Sequence, residues 1–228
     1  MIKSIFKLIS TTALLAVFAS GCASFPADGV PPVGKLPDKS AFRNKPSVFL
    51  DAKMTTDMSG GKNAPADNKP GTDKFKEVVE KATKDSNMFG NYTMDPFKGR
   101  EMDYTVKLEL LNQGSAGAAA ASGFITGFSL FIIPGAATDH YKLTAAVTDR
   151  SGRKLATYEL NDSVKTWFGI WFIPFMGKSP ATVVPEVWEN MVKTVFQNIS
   201  NDKLMQYSFM PDSDNRIAAV DGRALRLR

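Results

Sequence analysis

The stretch EMDYTVKLELLN, residues 101–112, decides the fold because its side chains alternate between apolar and polar. The apolar set consists of Met102, Tyr104, Val106, Leu108 and Leu110. A period of two residues is typical of a strand with one face on a core and the other in water. The pattern therefore predicts a half-buried β-strand over residues 101–112.

Three neighbouring stretches complete the predicted sheet. Residues 141–148 repeat the alternation, and residues 154–165 repeat it again after the turn DRSG at 149–152. Two alternating runs joined by a short Gly-containing turn predict a β-hairpin, and with residues 101–112 they form a three-stranded antiparallel meander. Residues 47–53, with Val48, Phe49 and Leu50, are a candidate for an N-terminal strand.

Two amphipathic helices are predicted to cover this sheet. Residues 73–85 place Phe75, Val78, Val79 and Ala82 on one face, with Thr72 or Asp73 as the N-cap. Residues 184–199 repeat apolar side chains at spacings of three and four, with Pro185 in the first turn, where no amide donor is needed. The predicted fold class is α+β, a small antiparallel sheet packed against two helices.

The first 22 residues have the layout of a secretory signal, with Lys3 and Lys7, an apolar core over 13–19, and small residues before Cys22. Their end, ASGC at 19–22, resembles the lipobox of bacterial lipoproteins. The resemblance implies a signal peptide over residues 1–21, diacylglycerol on the sulfur of Cys22, and a further acyl chain such as palmitate on the new amino group. An ordinary secretory signal with an incidental cysteine is the alternative. Cys22 is the only cysteine, which excludes an intramolecular disulfide.

The residues after Cys22 indicate the destination of the mature chain. Ala23 and Ser24 follow it, whereas Asp beside the cysteine favours inner-membrane retention in enteric lipoproteins. The resemblance thus implies a lipid-anchored protein on the periplasmic side of the outer membrane. Residues 22–46 are rich in proline and predict a flexible tether of roughly 25–30 Å. Residues 47–210 are predicted to form a single domain, and residues 211–228 either a basic tail or a short hairpin around Asp221-Gly222.

The charge argues against a nucleic-acid partner. The chain has 28 basic and 23 acidic residues, and removal of the signal leaves 26 basic residues and a net charge of about +3. Nucleic-acid-binding domains usually carry a far stronger positive charge.

Two long segments carry no charge at all. One lies between Glu109 and Asp139 and includes GFSLFIIPG at residues 127–135. The other covers residues 166–177 and includes WFGIWFIPFMG at residues 167–177. In the predicted meander both leave the sheet at the same edge. Three interpretations remain open: contact with a bilayer or an apolar partner, burial as core, or a membrane-spanning helix over 116–137 with Gly123 and Gly127 as a packing motif.

Catalytic chemistry is not indicated. His140 is the only histidine, and a zinc site with histidine ligands needs more partners. The carboxylates of Asp139, Asp149, Asp162 and Glu186 have no spacing that pairs an acid with a base. Neither a Gly-x-Ser-x-Gly elbow nor a phosphate-binding loop is present. We therefore expect a protein that is not an enzyme and binds no cofactor or metal.

The predicted element order over about residues 47–200, strand, helix, meander, helix, resembles the N-terminal domain of the periplasmic TolB protein. GFSLFIIPG and YKLTAAVTDRSG (141–152) are similar to segments of proteobacterial lipoproteins. The resemblance implies an envelope accessory or assembly protein that uses its apolar edge, with an envelope protein or a second copy as a further partner. The alternative is an oligomeric secretion-channel lipoprotein that inserts apolar hairpins in the membrane. The expected contact residues are Phe128, Phe131, Trp167, Trp171 and Phe172.

Overall fold

The computed structural model describes residues 21–175 and 177–207. Their strands are β1 (Gly21–Pro26), β2 (Ser47–Asp57), β3 (Ala66–Asp67), β4 (Asn91–Thr93), β5 (Tyr104–Gln113), β6 (Gly135–Asp149) and β7 (Lys154–Gly169). The helices are α1 (Lys69–Ser86), α2 (Pro96–Gly99), α3 (Ala116–Phe128), a 3₁₀ helix (Ile170–Phe175) and α4 (Pro180–Asn201). The fold is α+β, as the alternation and the two amphipathic helices predict.

The described strands form one seven-stranded sheet in the order β1-β7-β6-β5-β2-β3, with β4 on β2. Antiparallel pairing joins β5 to β6 and β6 to β7, so the predicted meander is confirmed. The sheet is not antiparallel throughout, because β2 runs parallel to β5. A parallel neighbour requires a crossover connection, and α1 lies in the chain between these two strands.

The core lies between one face of the sheet and helices α1 and α4. Val106, Leu108 and Leu110 of β5 are buried, whereas Lys107 and Glu109 between them are exposed. From the helices, Phe75 and Trp188 meet edge to face with ring centroids 6.0 Å apart. The opposite face of the sheet carries charged pairs such as Lys142 with Glu159, 2.6 Å apart.

Both long helices begin earlier than predicted. Asn68, and not Thr72 or Asp73, caps α1, and its side-chain oxygen accepts the amide of Gly71 at 2.8 Å. Pro70 then fits the first turn, where its missing amide costs no hydrogen bond. In α4 the proline of the first turn is Pro180, so Pro185 lies inside the helix.

The structure differs from the expected flexible tether over residues 22–46. Gly21–Pro26 forms an edge strand on β7, and Val30 is buried. The buried carboxylate of Asp162 accepts the amides of Gly29 and Val30 at 3.1 and 3.2 Å, and Asn190 accepts the amide of Val33 at 2.8 Å. These bonds hold the segment against the domain, and its proline content gave no sign of them.

Two predictions lie outside the described residues. They are the apolar signal core over 13–19 and the basic tail or hairpin over 211–228. The limits of the predicted domain, 47 and 210, remain a prediction.

Candidate functional site: an uncharged cap beside Cys22

The two uncharged segments come together at one end of the sheet, as the meander predicts. The first connects the end of β5 to the start of β6, and the second follows the end of β7. At this end Gly135 of β6 pairs with Phe168 of β7, which in turn pairs with Cys22 of β1. We call residues 116–134 and 170–175 the apolar cap.

Helix α3 forms the larger part of the cap and packs against β6. Ser115 caps it by accepting the amide of Ala118 at 3.2 Å. Thr126 is the buried residue of this helix, and Ser122 accepts the amide of Ala136 at 2.8 Å. A Cβ on Gly135 would overlap the hydroxyl of Thr126, so this close approach requires glycine.

Backbone and side-chain hydrogen bonds join the two halves of the cap. The amide of Ile170 donates to the carbonyl of Phe131 at 3.2 Å, and the indole of Trp171 donates to the carbonyl of Ile132 at 2.9 Å. Leu130 and Phe131 have φ values of 51° and 64°, a region that bulky residues rarely adopt. The bonds from the 3₁₀ helix therefore stabilise a strained loop.

Most of the cap is exposed, so the interpretation that these segments are buried as core is wrong. Phe128 is 84% exposed and Trp171 62% exposed, while Phe131, Trp167 and Phe172 are half-buried. Trp167 stacks on Phe172 with centroids 5.8 Å apart. The sequence prediction did not single out other exposed apolar side chains of the cap, which are Phe124, Ile125, Leu130, Ile132, Ile133, Ile173 and Phe175. The sequence feature that could have identified them is the absence of charge across both segments.

Cys22 lies directly beside the cap. It is half-buried in β1 and pairs with Phe168, one residue from the end of β7. A Cβ on the preceding Gly21 would overlap the backbone of Phe172 and Ile173. Strand β1, which carries the predicted lipidation site, therefore lies against the 3₁₀ helix, a proximity that no local sequence pattern indicates.

The polar residues considered for catalysis lie in different parts of the fold and outside the apolar cap. Asp162 binds backbone amides, and Asp149 shapes the β6–β7 turn, where bonds from Ser151 lower the pKa of its carboxyl. Asp139 and His140 line a cavity of about 520 Å³ between the start of α3 and β6. Burial raises the pKa of the Asp139 carboxyl. The described residues contain no group of three or more metal-ligating side chains.

The secondary structure of the cap contradicts two of the predicted alternatives, the membrane-spanning helix and the apolar hairpins. Helix α3 has 13 residues, and among the described helices none is long and apolar enough to cross a membrane. The membrane-spanning helix over 116–137 is therefore wrong, because the helix ends at Phe128 and the chain then turns towards Pro134. The segments 116–128 and 170–175 are helical, so they do not form the apolar hairpins of the secretion-channel alternative.

Comparison with known proteins gives similarity in structure only. No family model and no curated protein match the chain. A minor lipoprotein from Acinetobacter baumannii is 10% identical, with a TM-score of 0.40, over 73% of this chain and 98% of that one. A PelC dodecamer from Paraburkholderia phytofirmans is 7% identical, with a TM-score of 0.33, over 77% and 95% of the two chains. Similarity at this level carries no functional conclusion.

Proposed function

We propose that this chain is a lipoprotein, anchored through acyl chains on Cys22, that rests its apolar cap on the surface of the membrane and catalyses no reaction. The observation that carries the proposal is the position of Cys22 in β1, opposite Phe168 at the end of β7 where the cap begins. Acyl chains on this residue would leave the protein at the cap and enter the same leaflet that the cap faces.

The short connection between anchor and domain supports the proposal. Strand β1 begins at Gly21, so the acylated residue is itself part of the sheet. The bonds of Asp162 and Asn190 to the following segment oppose its release. Because no long flexible linker separates Cys22 from the domain, the acyl chains hold the domain close to the membrane with the cap towards the lipid.

The composition of the cap supports a lipid surface as its partner. Soluble proteins rarely expose a contiguous apolar patch of more than a few hundred Å². Burial of one exposed aromatic or aliphatic side chain is worth about 1.5–3 kcal/mol. Tryptophan also prefers the interface between lipid and water, and Trp171 is exposed on this surface.

The polar residues support a non-enzymatic role, since Asp162 and Asp149 are engaged in holding the backbone. Ala23 and Ser24 after the cysteine favour the periplasmic side of the outer membrane as the location. An envelope protein or a second copy of the chain is a further candidate partner of the cap.

Acylation is tested by growth with radioactive palmitate. The wild-type protein should incorporate the label, and the variant Cys22→Ser should not. Equal incorporation by both would show that Cys22 is not the site.

The orientation is tested with a fluorophore attached to an introduced cysteine. The native cysteine would be blocked as a thioether, so Phe128→Cys in the acylated protein gives one reactive thiol. Ser151→Cys, in the turn between β6 and β7, lies at the opposite end of the sheet and is the control. Lipid-borne quenchers should quench the fluorophore at 128 strongly and that at 151 weakly. Equal quenching at both positions would exclude the proposed orientation.

A further inference from the structure

We propose that Lys165 and Lys178 bind the phosphate groups of anionic phospholipids at the edge of the apolar cap. The inference rests on the proposed contact of the cap with the membrane, and it assigns a lipid class to that contact. It follows from the position of the two lysines, the aromatic rings beneath them and the absence of charge between them.

Lys165 lies on β7, two residues before Trp167 and opposite Phe25 of β1. Its ammonium nitrogen is 4.4 Å from the centre of the Trp167 ring. Lys178 follows the 3₁₀ helix, and its carbonyl accepts the amide of Ser24 at 2.6 Å. Its ammonium nitrogen is 5.3 Å from the centre of the Phe25 ring. The two ammonium groups therefore border the same aromatic cluster beside β1.

Neither lysine forms an ion pair within residues 21–175 and 177–207. The carboxylate of Asp162, three residues before Lys165, is engaged by the amides of Gly29 and Val30. Residues 166–177 between the lysines carry no charge. Both positive charges are thus available to an anion outside the protein.

The distances match the order of layers at a membrane surface. Strand residues rise by about 3.3 Å, so Lys165 lies roughly 7 Å further from the cap than Trp167. Aromatic rings with polar edges lie at the headgroup level, and lysine side chains extend along apolar surfaces to keep the ammonium in the polar layer. With the cap in the acyl region and Trp167 at its boundary, both ammonium groups reach the phosphates.

A lipid surface explains these features better than an acidic protein does. The lysines border a surface that is uncharged and apolar across the whole cap, and such a surface with a cationic edge is typical of proteins that lie in the interface of anionic membranes. A surface that binds an acidic protein would carry positive charges across the whole contact area, and not only at one edge.

The test measures vesicle binding of the mature chain with Cys22→Ser, produced without signal and acyl chains. One set of vesicles contains phosphatidylcholine alone, and the other contains equal parts of phosphatidylcholine and phosphatidylglycerol. The variants are Lys165→Gln and Lys178→Gln, singly and together. The control is Lys154→Gln, an exposed lysine at the other end of β7.

We expect each cap-edge variant to lose about five-fold in affinity for the anionic vesicles, and the double variant more than ten-fold. Affinity for phosphatidylcholine should not change, and Lys154→Gln should behave as wild type on both vesicles. Replacement of both lysines by arginine should retain the anionic preference, and added salt should reduce it.

Three results would contradict the proposals, and they are distinguishable. If the double variant keeps its full affinity for anionic vesicles, or if Lys154→Gln loses as much, the assignment to Lys165 and Lys178 is wrong while the cap contact stands. If the parent chain, which carries only Cys22→Ser, binds neither vesicle, the proposed membrane contact itself is wrong. Circular dichroism of each variant establishes that it is folded.

Discussion

Replacement of Phe128 by alanine separates a membrane-contacting cap from a structural one. Phe128 is 84% exposed at the end of α3 and stacks on Phe124, with ring centroids 6.2 Å apart. An exposed side chain contributes little to folding, and such substitutions usually change stability by less than about 0.5 kcal/mol. In a lipid interface the same side chain would contribute about 2 kcal/mol. We therefore expect Phe128→Ala to lower the vesicle partition coefficient by about thirty-fold.

The measurement is flotation of the unacylated mature chain with phosphatidylcholine vesicles, together with thermal unfolding in buffer. Phe97 offers a matched control, because it is also 84% exposed but lies in α2, which precedes β5 at the opposite end of the sheet. Phe97→Ala should leave both partition and melting temperature unchanged. If Phe128→Ala and Phe97→Ala lower partition equally, the contact is non-specific. If Phe128→Ala instead lowers the stability by several kcal/mol, the cap is part of the folded core and the proposal fails.

Four further substitutions probe the anchor, the cap, the core and the pH dependence. Asp162→Ala should release the segment after β1 and lower the free energy of unfolding by about 2–3 kcal/mol, measured by limited proteolysis and urea unfolding, because the amides of Gly29 and Val30 in that segment lose a charged acceptor. Gly135→Ala should displace α3, since its Cβ would overlap the hydroxyl of Thr126, and a probe at 128 should then show increased mobility while the urea midpoint falls. Leu108→Ala, at a fully buried position, should cost about 2–5 kcal/mol in urea unfolding without changing the vesicle affinity of the folded fraction. Hydrogen bonds from Ser47 hold the pKa of the Asp103 carboxyl below its usual value, so its contribution to stability is present at neutral pH and is lost as pH falls through the lowered pKa. Asp103→Asn should therefore be less stable than wild type at pH 7, with a difference that shrinks in acid; a constant difference would contradict this assignment.

Local periodicity accounts for what could be predicted of the fold. The alternation at 101–112 places Val106, Leu108 and Leu110 in the core because side chains of a strand point to opposite faces in turn. The same reasoning predicts the meander and thus the meeting of the two uncharged segments. The helix starts were less accurate, because several residues near 68–73 are competent caps and tertiary contacts select among them.

The sequence by itself determined the alternating strands, the amphipathic helices and the two stretches without charge, and it predicted a secretory signal that ends at the single cysteine. Each of these is a property of neighbouring residues. Only the tertiary structure decided that Cys22 pairs with Phe168, that Asp162 and Asn190 hold the segment after it, and that β2 joins the sheet in parallel. These are contacts between residues far apart in the chain. The strand pairings use backbone hydrogen bonds that every residue type can form, and the bonds of Asp162 and Asn190 depend on side chains more than 130 positions away in the sequence, so local patterns do not specify either kind of partner.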